Sequence, residues 1–258
     1  MFIDATIVNY HQITENNPPK GSLNISARQF MCQMYYLYTH SYRCLPLSKL
    51  LQLSESERRR SKALAITFDD GYEDFITTAY PILHHYNFTA TLFIVTDLVG
   101  QYNSWDGKAK TPLLAWEQIK RLRDKGFSFE SHTCTHPILT KLPQEQSWHE
   151  LTASKACLEA KLGQEAHVLA YPYGDSDQNI WEMAKAVGYK AACGIGTGKN
   201  DPFNLWRWVC RAGEDISTFA FKLSPLYRYL YHLRKETRMG RMLSKLTHSL
   251  PVHSTPPN

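Results

Sequence analysis

The sequence has 258 residues, of which 43% are hydrophobic and 21% are charged, as is ordinary for a soluble protein with one large domain or two small ones. No apolar stretch is long enough to cross a bilayer, and the six cysteines form no Cys-x-x-Cys pair. We therefore expect neither a membrane-spanning segment nor a disulfide framework. The net charge of +5 is carried by residues 222–258, which hold seven Lys or Arg and one Glu.

The two ends of the chain suggest where the protein works. The first residues contain neither a basic start nor a long apolar run. We therefore expect a cytoplasmic protein without a signal peptide. Leu226, Leu230 and Leu233 recur at helical spacing among basic residues. Such a helix could contact an anionic membrane through residues 222–245, or it could pack on the protein with its charges in water. The sequence leaves the oligomeric state open.

Short apolar strands alternate with helices along the chain. We predict strands at residues 6–10, 42–45, 63–68, 90–95, 127–130, 167–171 and 189–193, and helices at 26–38, 46–53, 72–86, 116–125, 143–162 and 177–187. Residues 54–62 contain three arginines between acidic residues and are predicted to form a solvated linker, so we expect no nucleic-acid partner. The alternation predicts a parallel α/β fold, with its chemistry at the carboxyl ends of the strands.

The stretch Ala63–Gly71 reads as a buried strand that ends in two adjacent carboxylates and a glycine. The like charges of Asp69 and Asp70 would raise one pKa unless a cation neutralises the pair. One carboxylate could then hold a metal while the other transfers protons. The same residues would also suit an ordinary solvated Asp-Gly turn.

His132 and His136 follow the predicted strand at residues 127–130. Histidines at this spacing can point the same way on one helical turn and share a metal. With Asp70 they would form a set of two imidazoles and one carboxylate that leaves positions open for water and substrate. Two surface histidines beside a turn are the alternative. Cys134 points elsewhere on helical geometry and is not predicted to be a ligand.

A third strand end carries Tyr171-Pro172-Tyr173-Gly174. This is a rigid turn that presents two aromatic rings and exposed backbone N–H groups, and such groups can stabilise an oxyanion. Taken by itself, such a sequence is more often an ordinary turn.

The three motifs, in this order and each after a predicted strand, resemble those of the polysaccharide deacetylase family (carbohydrate esterase family four). The resemblance extends over roughly residues 5–220. It implies an α/β fold, a distorted (β/α) barrel of about seven parallel strands, and metal-dependent removal of acetyl groups from N-acetylated sugars.

The resemblance also implies roles for individual residues. Asp69 would be the general base, and Asp70, His132 and His136 would be the metal ligands. The backbone N–H of Tyr173 would stabilise the oxyanion, and we place Tyr171 beside the substrate. The ligand set predicts one divalent ion, with zinc the first choice and cobalt, nickel or iron as alternatives.

The chain departs from the commoner family pattern at two points. It has no convincing Leu-His motif late in the chain, but strand 6–10 ends in Tyr10-His11. This resembles the exopolysaccharide-associated subgroup in which the last motif is moved to the N-terminus, and it implies that His11 is the general acid. A structural histidine is the alternative.

Ala170 stands where many members of the family have an arginine that contacts the catalytic aspartate. Arg207, between two tryptophans, could supply that guanidinium, or it could be a surface residue. Trp105 and Asp106 are candidates for a sugar subsite.

These observations predict a catalytic domain at residues 1–220 and a basic, partly helical tail at 221–258. The predicted enzyme is a hydrolase of linear amides that removes N-acetyl groups from N-acetylhexosamine units of a cell-envelope or exopolysaccharide glycan. Two alternatives remain, namely hydrolysis of a non-sugar amide on the same scaffold and a glycan-binding module without catalysis.

Overall fold

The structure, a computed structural model, describes residues 5–105, 107, 110–194, 201–224, 226, 227 and 230. The strands are β1 (Thr6–Tyr10), β2 (Ile13–Thr14), β3 (Ile25–Ser26), β4 (Arg43–Cys44), β5 (Ala63–Phe68), β6 (Thr91–Ile94), β7 (Ser128–Ser131), β8 (Val168–Ala170), β9 (Ala191–Gly194), β10 (Leu205–Trp206) and β11 (Trp208–Val209). The helices are α1 (Ala27–Thr39), α2 (Leu47–Gln52), α3 (Glu55–Arg60), α4 (Tyr80–His85), α5 (Trp116–Asp124), α6 (Gln144–Leu162), α7 (Gln178–Val187) and α8 (Ile216–Leu223).

One segment closes the main sheet into a barrel. The strand order is β10-β9-β8-β7-β6-β5-β1-β11, with all pairs parallel, and β4 pairs with β5 outside this path. The two ends of the sheet, β10 and β11, are separated in the chain only by Arg207. Residues 205–209 therefore contact both β9 and β1, and the predicted (β/α) barrel fold is confirmed.

The strands of the barrel place alternate residues inside and outside. Inward residues such as Ile7, Ala65 and Phe93 form one apolar cluster in the barrel. Outward residues such as Leu64 and Ile66 belong to a larger cluster that packs against the helices. Every second side chain of a strand therefore points into the barrel, and the last of them lies at the carboxyl end of the strand.

Two segments differ from the prediction. Residues 54–62 contain α3 rather than a linker, because Ser54 and Glu57 form a reciprocal capping box and Arg58 is buried. The predicted helix at 72–86 begins as a π-helical turn, Phe75–Ala79, and continues as α4.

The C-terminal part of the described chain packs on the barrel. Helix α8 crosses the predicted boundary at residue 220 and buries Phe219 and Leu223. Most of the predicted membrane-contacting segment, residues 222–245, lies outside the described residues. Among the helices of the described ranges, none is both long and apolar enough to cross a membrane.

Candidate functional site

The site is built where the apolar interior of the barrel gives way to polar side chains. The inward row of β1 continues from Ile7 to Asn9 and then His11, and that of β5 continues from Ala65 to Thr67 and Asp69. Because parallel strands end at one edge of the barrel, these polar groups converge there.

A tight turn separates the two adjacent aspartates. Asp70 and Gly71 both have left-handed backbone angles, with φ of 73° and 72°. A Cβ added at Gly71 would lie 2.9 Å from Cδ1 of Ile94, and the left-handed backbone adds strain for any other residue, so glycine is favoured here. The turn directs Asp69 and Asp70 to different partners.

Asp70 lies with His132 and His136 in a buried cluster whose potential ligand atoms are all within 4.8 Å of one another. Oδ1 of Asp70 is 3.3 Å from Nε2 of His132 and 3.2 Å from Nε2 of His136. Within the described ranges this is the one group of three or more such side chains with this spacing. The structure thus brings together the three predicted ligands.

The spacing of these atoms fits a single metal ion. Ligand atoms held about 2.0–2.1 Å from one tetrahedral ion lie about 3.3 Å apart. The two measured Asp70–histidine distances match this separation. Burial alone would raise the pKa of Asp70, but hydrogen bonds from the two histidines hold it well below its ordinary value. The carboxylate is thus in the ionised form that binds metals.

The two histidines are oriented by different interactions. Nδ1 of His132 is 2.7 Å from the carbonyl oxygen of Ala170, and because a carbonyl only accepts, Nδ1 must carry the proton. Nε2 of His132, which faces Asp70, is therefore the ring nitrogen that would bind a metal in place of its proton. Nδ1 of His136 is buried and has no hydrogen-bond partner among the described residues. Instead, its ring stacks on Trp105 at 4.1 Å and meets the Tyr173 ring edge to face at 4.8 Å.

The segment with both histidines is not a helical turn, so the geometry used to predict it was wrong. Thr133 and His136 have positive φ angles of 67° and 65°, which curl the loop so that both rings face Asp70. Glu150 on α6 fixes this loop by accepting hydrogen bonds from the backbone N–H groups of Cys134 and Thr135. Cys134 is buried outside the cluster, as predicted.

Asp69 is held on the other side of the turn by Arg207. The guanidinium donates from Nη1 to Oδ1 at 2.6 Å and from Nη2 to Oδ2 at 2.8 Å. Asp69 and Arg207 are only 4% and 5% exposed. Arg207 is therefore not a surface residue, and the alternative left open by the sequence is excluded. It reaches Asp69 because it lies at the joint between β10 and β11 that closes the barrel.

Asn9 completes the surroundings of Asp69. Its Nδ2 donates to Oδ2 of Asp69 at 3.0 Å, and its Oδ1 accepts from Arg207 and Thr67, each at 2.9 Å. A carboxylate has about four acceptor positions. Three are occupied by Arg207 and Asn9, so among the described residues one position, on Oδ1, accepts no hydrogen bond.

These contacts set the charge of Asp69. Burial would raise its pKa, but the Arg207 guanidinium, with His132 and His11 nearby, holds the pKa below its ordinary value. Burial disfavours the charge of Arg207 in turn, yet Asp69 raises the pKa of the guanidinium. The pair is therefore ionised on both sides.

His11 lies at the rim of the same group. Its Nε2 is 3.8 Å from Oδ2 of Asp69, and its side chain is 18% exposed. The imidazole thus borders both the buried carboxylate and solvent, where a substrate could reach it.

The Tyr171–Gly174 turn contributes one of its two aromatic rings. Tyr173 has a left-handed backbone, with φ of 58°, and its side chain is exposed beside His136. Tyr171 is 1% exposed, packs in the apolar cluster around Leu151 and donates its hydroxyl to the carbonyl oxygen of Phe203. Its side chain is therefore not at the site, which corrects the prediction that Tyr171 contacts substrate.

Trp105 does reach the site, but its contacts are internal. Besides stacking on His136, the indole N–H donates to the hydroxyl of Tyr72 at 3.2 Å. Asp106, the other candidate for a sugar subsite, lies outside the described residues.

Sequence reasoning missed two residues of the site. Asn9 was detectable as a polar residue in register with His11 on an apolar strand. Glu150 was not, because nothing in its helix marks it as the acceptor for a distant loop.

A comparison with protein-family models identifies this arrangement. Residues 56–192, just over half of the chain, match the model described as polysaccharide deacetylase. The chain belongs to the polysaccharide deacetylase family. The resemblance seen in the sequence and the predicted enzyme class, hydrolases of amide C–N bonds, are both confirmed at the level of the family.

Two curated relatives of the chain are bacterial proteins. The Bacillus subtilis (strain 168) protein YxkH, named for the same family, is 31% identical over 185 residues, which cover 71% of the chain. The match spans only 62% of the length of YxkH. The poly-β-1,6-N-acetyl-D-glucosamine N-deacetylase of Staphylococcus aureus (strain MSSA476) is 25% identical, with 72% of the chain and 70% of that protein covered.

Solved structures agree with the barrel. The deacetylase PplD of Streptococcus pyogenes, determined in complex with acetate, is 25% identical with a TM-score of 0.72, covering 87% of the chain and all of PplD. The de-N-acetylase of Aggregatibacter actinomycetemcomitans is 18% identical, with a TM-score of 0.71. The match covers 84% of the present chain and 99% of that protein, and it supports the fold.

Proposed function

We propose that this chain is a metal-dependent N-deacetylase that hydrolyses the acetamide of N-acetylhexosamine units in a glycan. The observation that carries the proposal is the pairing of two sets of residues at one end of the barrel. The Asp70–His132–His136 cluster has the spacing of a metal site. One residue away, Asp69 is held ionised by Arg207 and keeps an acceptor position for water.

Asp70, His132 and His136 would hold the divalent ion. When bound, such an ion polarises an amide carbonyl and makes water a better nucleophile at neutral pH. Two imidazoles and one carboxylate suit zinc first, and cobalt, nickel or iron as alternatives.

Asp69 would act as the general base. Its free acceptor position on Oδ1 can receive the proton of the attacking water. The bidentate contact with Arg207 keeps the carboxylate ionised and fixes its orientation, although it also lowers the basicity of Asp69. Asn9 shares both Asp69 and Arg207 and so acts as a positioning residue.

His11 and Tyr173 would complete the reaction. Hydrolysis of the amide expels an amine, and His11 lies at the solvent-facing side of Asp69, where it can donate the proton that the leaving nitrogen needs. The left-handed turn at Tyr173 supports the role of its backbone N–H as a donor to the oxyanion of the tetrahedral intermediate.

The relative from S. aureus supports a particular substrate class. That protein is an N-deacetylase of poly-β-1,6-N-acetyl-D-glucosamine. We propose an exopolysaccharide or cell-envelope glycan containing N-acetylglucosamine as the substrate of the present chain.

Acetate release tests this function. Purified protein is first freed of metal and then supplied with zinc or cobalt, and it is incubated with β-1,6-linked and β-1,4-linked N-acetylglucosamine oligomers. We expect metal-dependent acetate release, with a preference for the β-1,6 linkage. A metal-loaded protein that releases acetate from neither oligomer would contradict the proposal.

A further inference from the structure

A groove outside the catalytic cluster runs between α6 and α7 and encloses about 460 Å³. This volume is in the range of pockets that bind small ligands. The groove is lined on one side by residues of the loop before α6 and of α6 itself, among them Thr140, Gln144 and Trp148, and on the other by residues of α7 and its N-cap.

Both walls of the groove continue, along the chain, from loops that carry residues of the site. Thr140 follows His136 by four residues, and Asp177 follows Tyr173 by four. The Thr140 hydroxyl donates a hydrogen bond to Asp175, which ties the two loops together beside the groove. The groove therefore lies between the two loops that carry His136 and Tyr173.

The lining of the groove suits a sugar. Trp148 is 42% exposed, and its indole offers a flat apolar face of the kind on which pyranose rings stack. Gln144 and Asn179 add amide groups that can donate and accept hydrogen bonds.

The charge of the groove selects among sugars. Asp177 and Glu182 line it, whereas no Lys or Arg does so among the described residues. One oxygen of Asp177 accepts a hydrogen bond from the backbone N–H of Ile180. One oxygen of Glu182 accepts a hydrogen bond from the side-chain amide of Gln178. Within the described part of the chain no hydrogen bond occupies the second oxygen of either carboxylate, which leaves it for a cationic ligand.

We propose that this groove binds glucosamine units of the same glycan strand from which the acetyl group has already been removed. Deacetylation leaves a primary amine that is cationic when protonated, which complements the two carboxylates. The inference rests on the proposed function, and it makes a partly deacetylated strand a better substrate than a fully acetylated one.

Binding of defined oligomers tests the groove. Titration calorimetry measures the affinity of metal-loaded protein for glucosamine hexamers and for N-acetylglucosamine hexamers. The wild type is compared with the double variant Asp177→Asn/Glu182→Gln and with Trp148→Ala. Asparagine retains the N-cap of α7. We expect the double variant to bind the glucosamine hexamer about fivefold more weakly and Trp148→Ala about tenfold more weakly. Glu145→Gln removes an exposed charge of α6 outside the groove and should leave affinity unchanged.

The outcomes separate this inference from the proposed function. Equal affinity of the wild-type protein for both hexamers, or unchanged affinity in the groove variants, would overturn the inference. The N-acetylglucosamine dimer offers only one unit beyond the one that reacts, so acetate release from it should be the same in all four proteins. Dimer hydrolysis without groove binding would support the proposed function and overturn the inference. Groove binding without any hydrolysis would support the groove as a binding site and overturn the proposed function.

Discussion

The site has two halves that begin one residue apart and are assembled in different ways. Asp70 joins His132 and His136, which lie on a single loop after β7. Asp69 joins Asn9 and Arg207, which are separated by 198 residues in the chain. One half depends on a local motif, whereas the other depends on closure of the barrel.

The contacts of the halves differ as well. The metal half is oriented by one carbonyl oxygen and by stacked rings, and it directs the Nε2 atoms of both histidines at Asp70. The Asp69 half is a buried ion pair whose carboxylate accepts three hydrogen bonds, although Nε of Arg207 has no partner among the described residues. The difference indicates that metal binding and proton transfer can be disrupted separately, and the predictions below test that separation.

The largest expected effect is on turnover. In His11→Ala the leaving amine lacks its proton donor, so we expect kcat for acetate release to fall about 10²–10⁴-fold. Metal affinity should not change, because His11 contacts Asp69 and not the cluster. Steady-state kinetics and metal titration check both points, with the exposed His40→Ala as the control. Full activity in His11→Ala would assign the amine's proton to another group.

The next effect is on stability. Arg207→Met leaves the buried Asp69 carboxylate without its counterion, and we expect the free energy of unfolding to fall by about 3–5 kcal/mol. Denaturant unfolding measures this change. The double variant Asp69→Leu/Arg207→Met removes both charges and should recover much of the loss. A double variant no more stable than Arg207→Met would show that the ion pair is not the cause.

A smaller effect is expected on metal affinity alone. Trp105→Ala removes the ring stacked on His136, the histidine whose Nδ1 has no hydrogen-bond partner among the described residues. We expect metal affinity to fall about 10–100-fold, as for loss of other groups that orient a ligand, and Trp105→Phe should restore part of it. Competition with a chromogenic chelator provides the measurement. Unchanged affinity in Trp105→Ala would assign Trp105 to the substrate instead.

A separate effect is a pH dependence of stability beside the site. Burial raises the pKa of Asp74 to about 7, although the backbone N–H of Ile13 donates to it. In the unfolded chain the Asp74 carboxyl ionises near pH 4. Its contribution to the stability of the folded state is therefore full below that pH. It is lost as the pH rises towards 7, by up to about 1.4 kcal/mol per pH unit.

Asp74→Asn removes this titration. The wild-type protein should therefore lose stability relative to Asp74→Asn between pH 4 and 7, as measured by unfolding at several pH values. Parallel curves for the two proteins over that range would contradict the shifted pKa.

The same division explains how far the sequence could be interpreted. The strand Ala63–Phe68 and the ligand residues were predictable, because apolar runs that end in carboxylates and histidines are visible locally. The contact between Asn9 and Asp69 was not, since it depends on the register of β1 against β5 and on the closing segment. Stacking of Trp105 on His136 likewise depends on the path of a loop that no periodicity specifies.

Two local errors had other causes. The charge run at residues 54–62 is typical of a solvated linker, but the Ser54 and Glu57 capping box is a sufficient signal for α3. The predicted helical turn at His132 and His136 assumed ideal spacing, whereas positive φ angles at Thr133 and His136 achieve the same convergence in a loop.

One measurement tests the division of the site most directly. Metal content and acetate release are determined on the same samples of wild type, Asp69→Asn and Asp70→Asn. The account predicts that Asp69→Asn binds metal as the wild type does but releases no acetate, and that Asp70→Asn loses both. Acetate release by Asp69→Asn at the wild-type rate, or normal metal binding by Asp70→Asn, would contradict it.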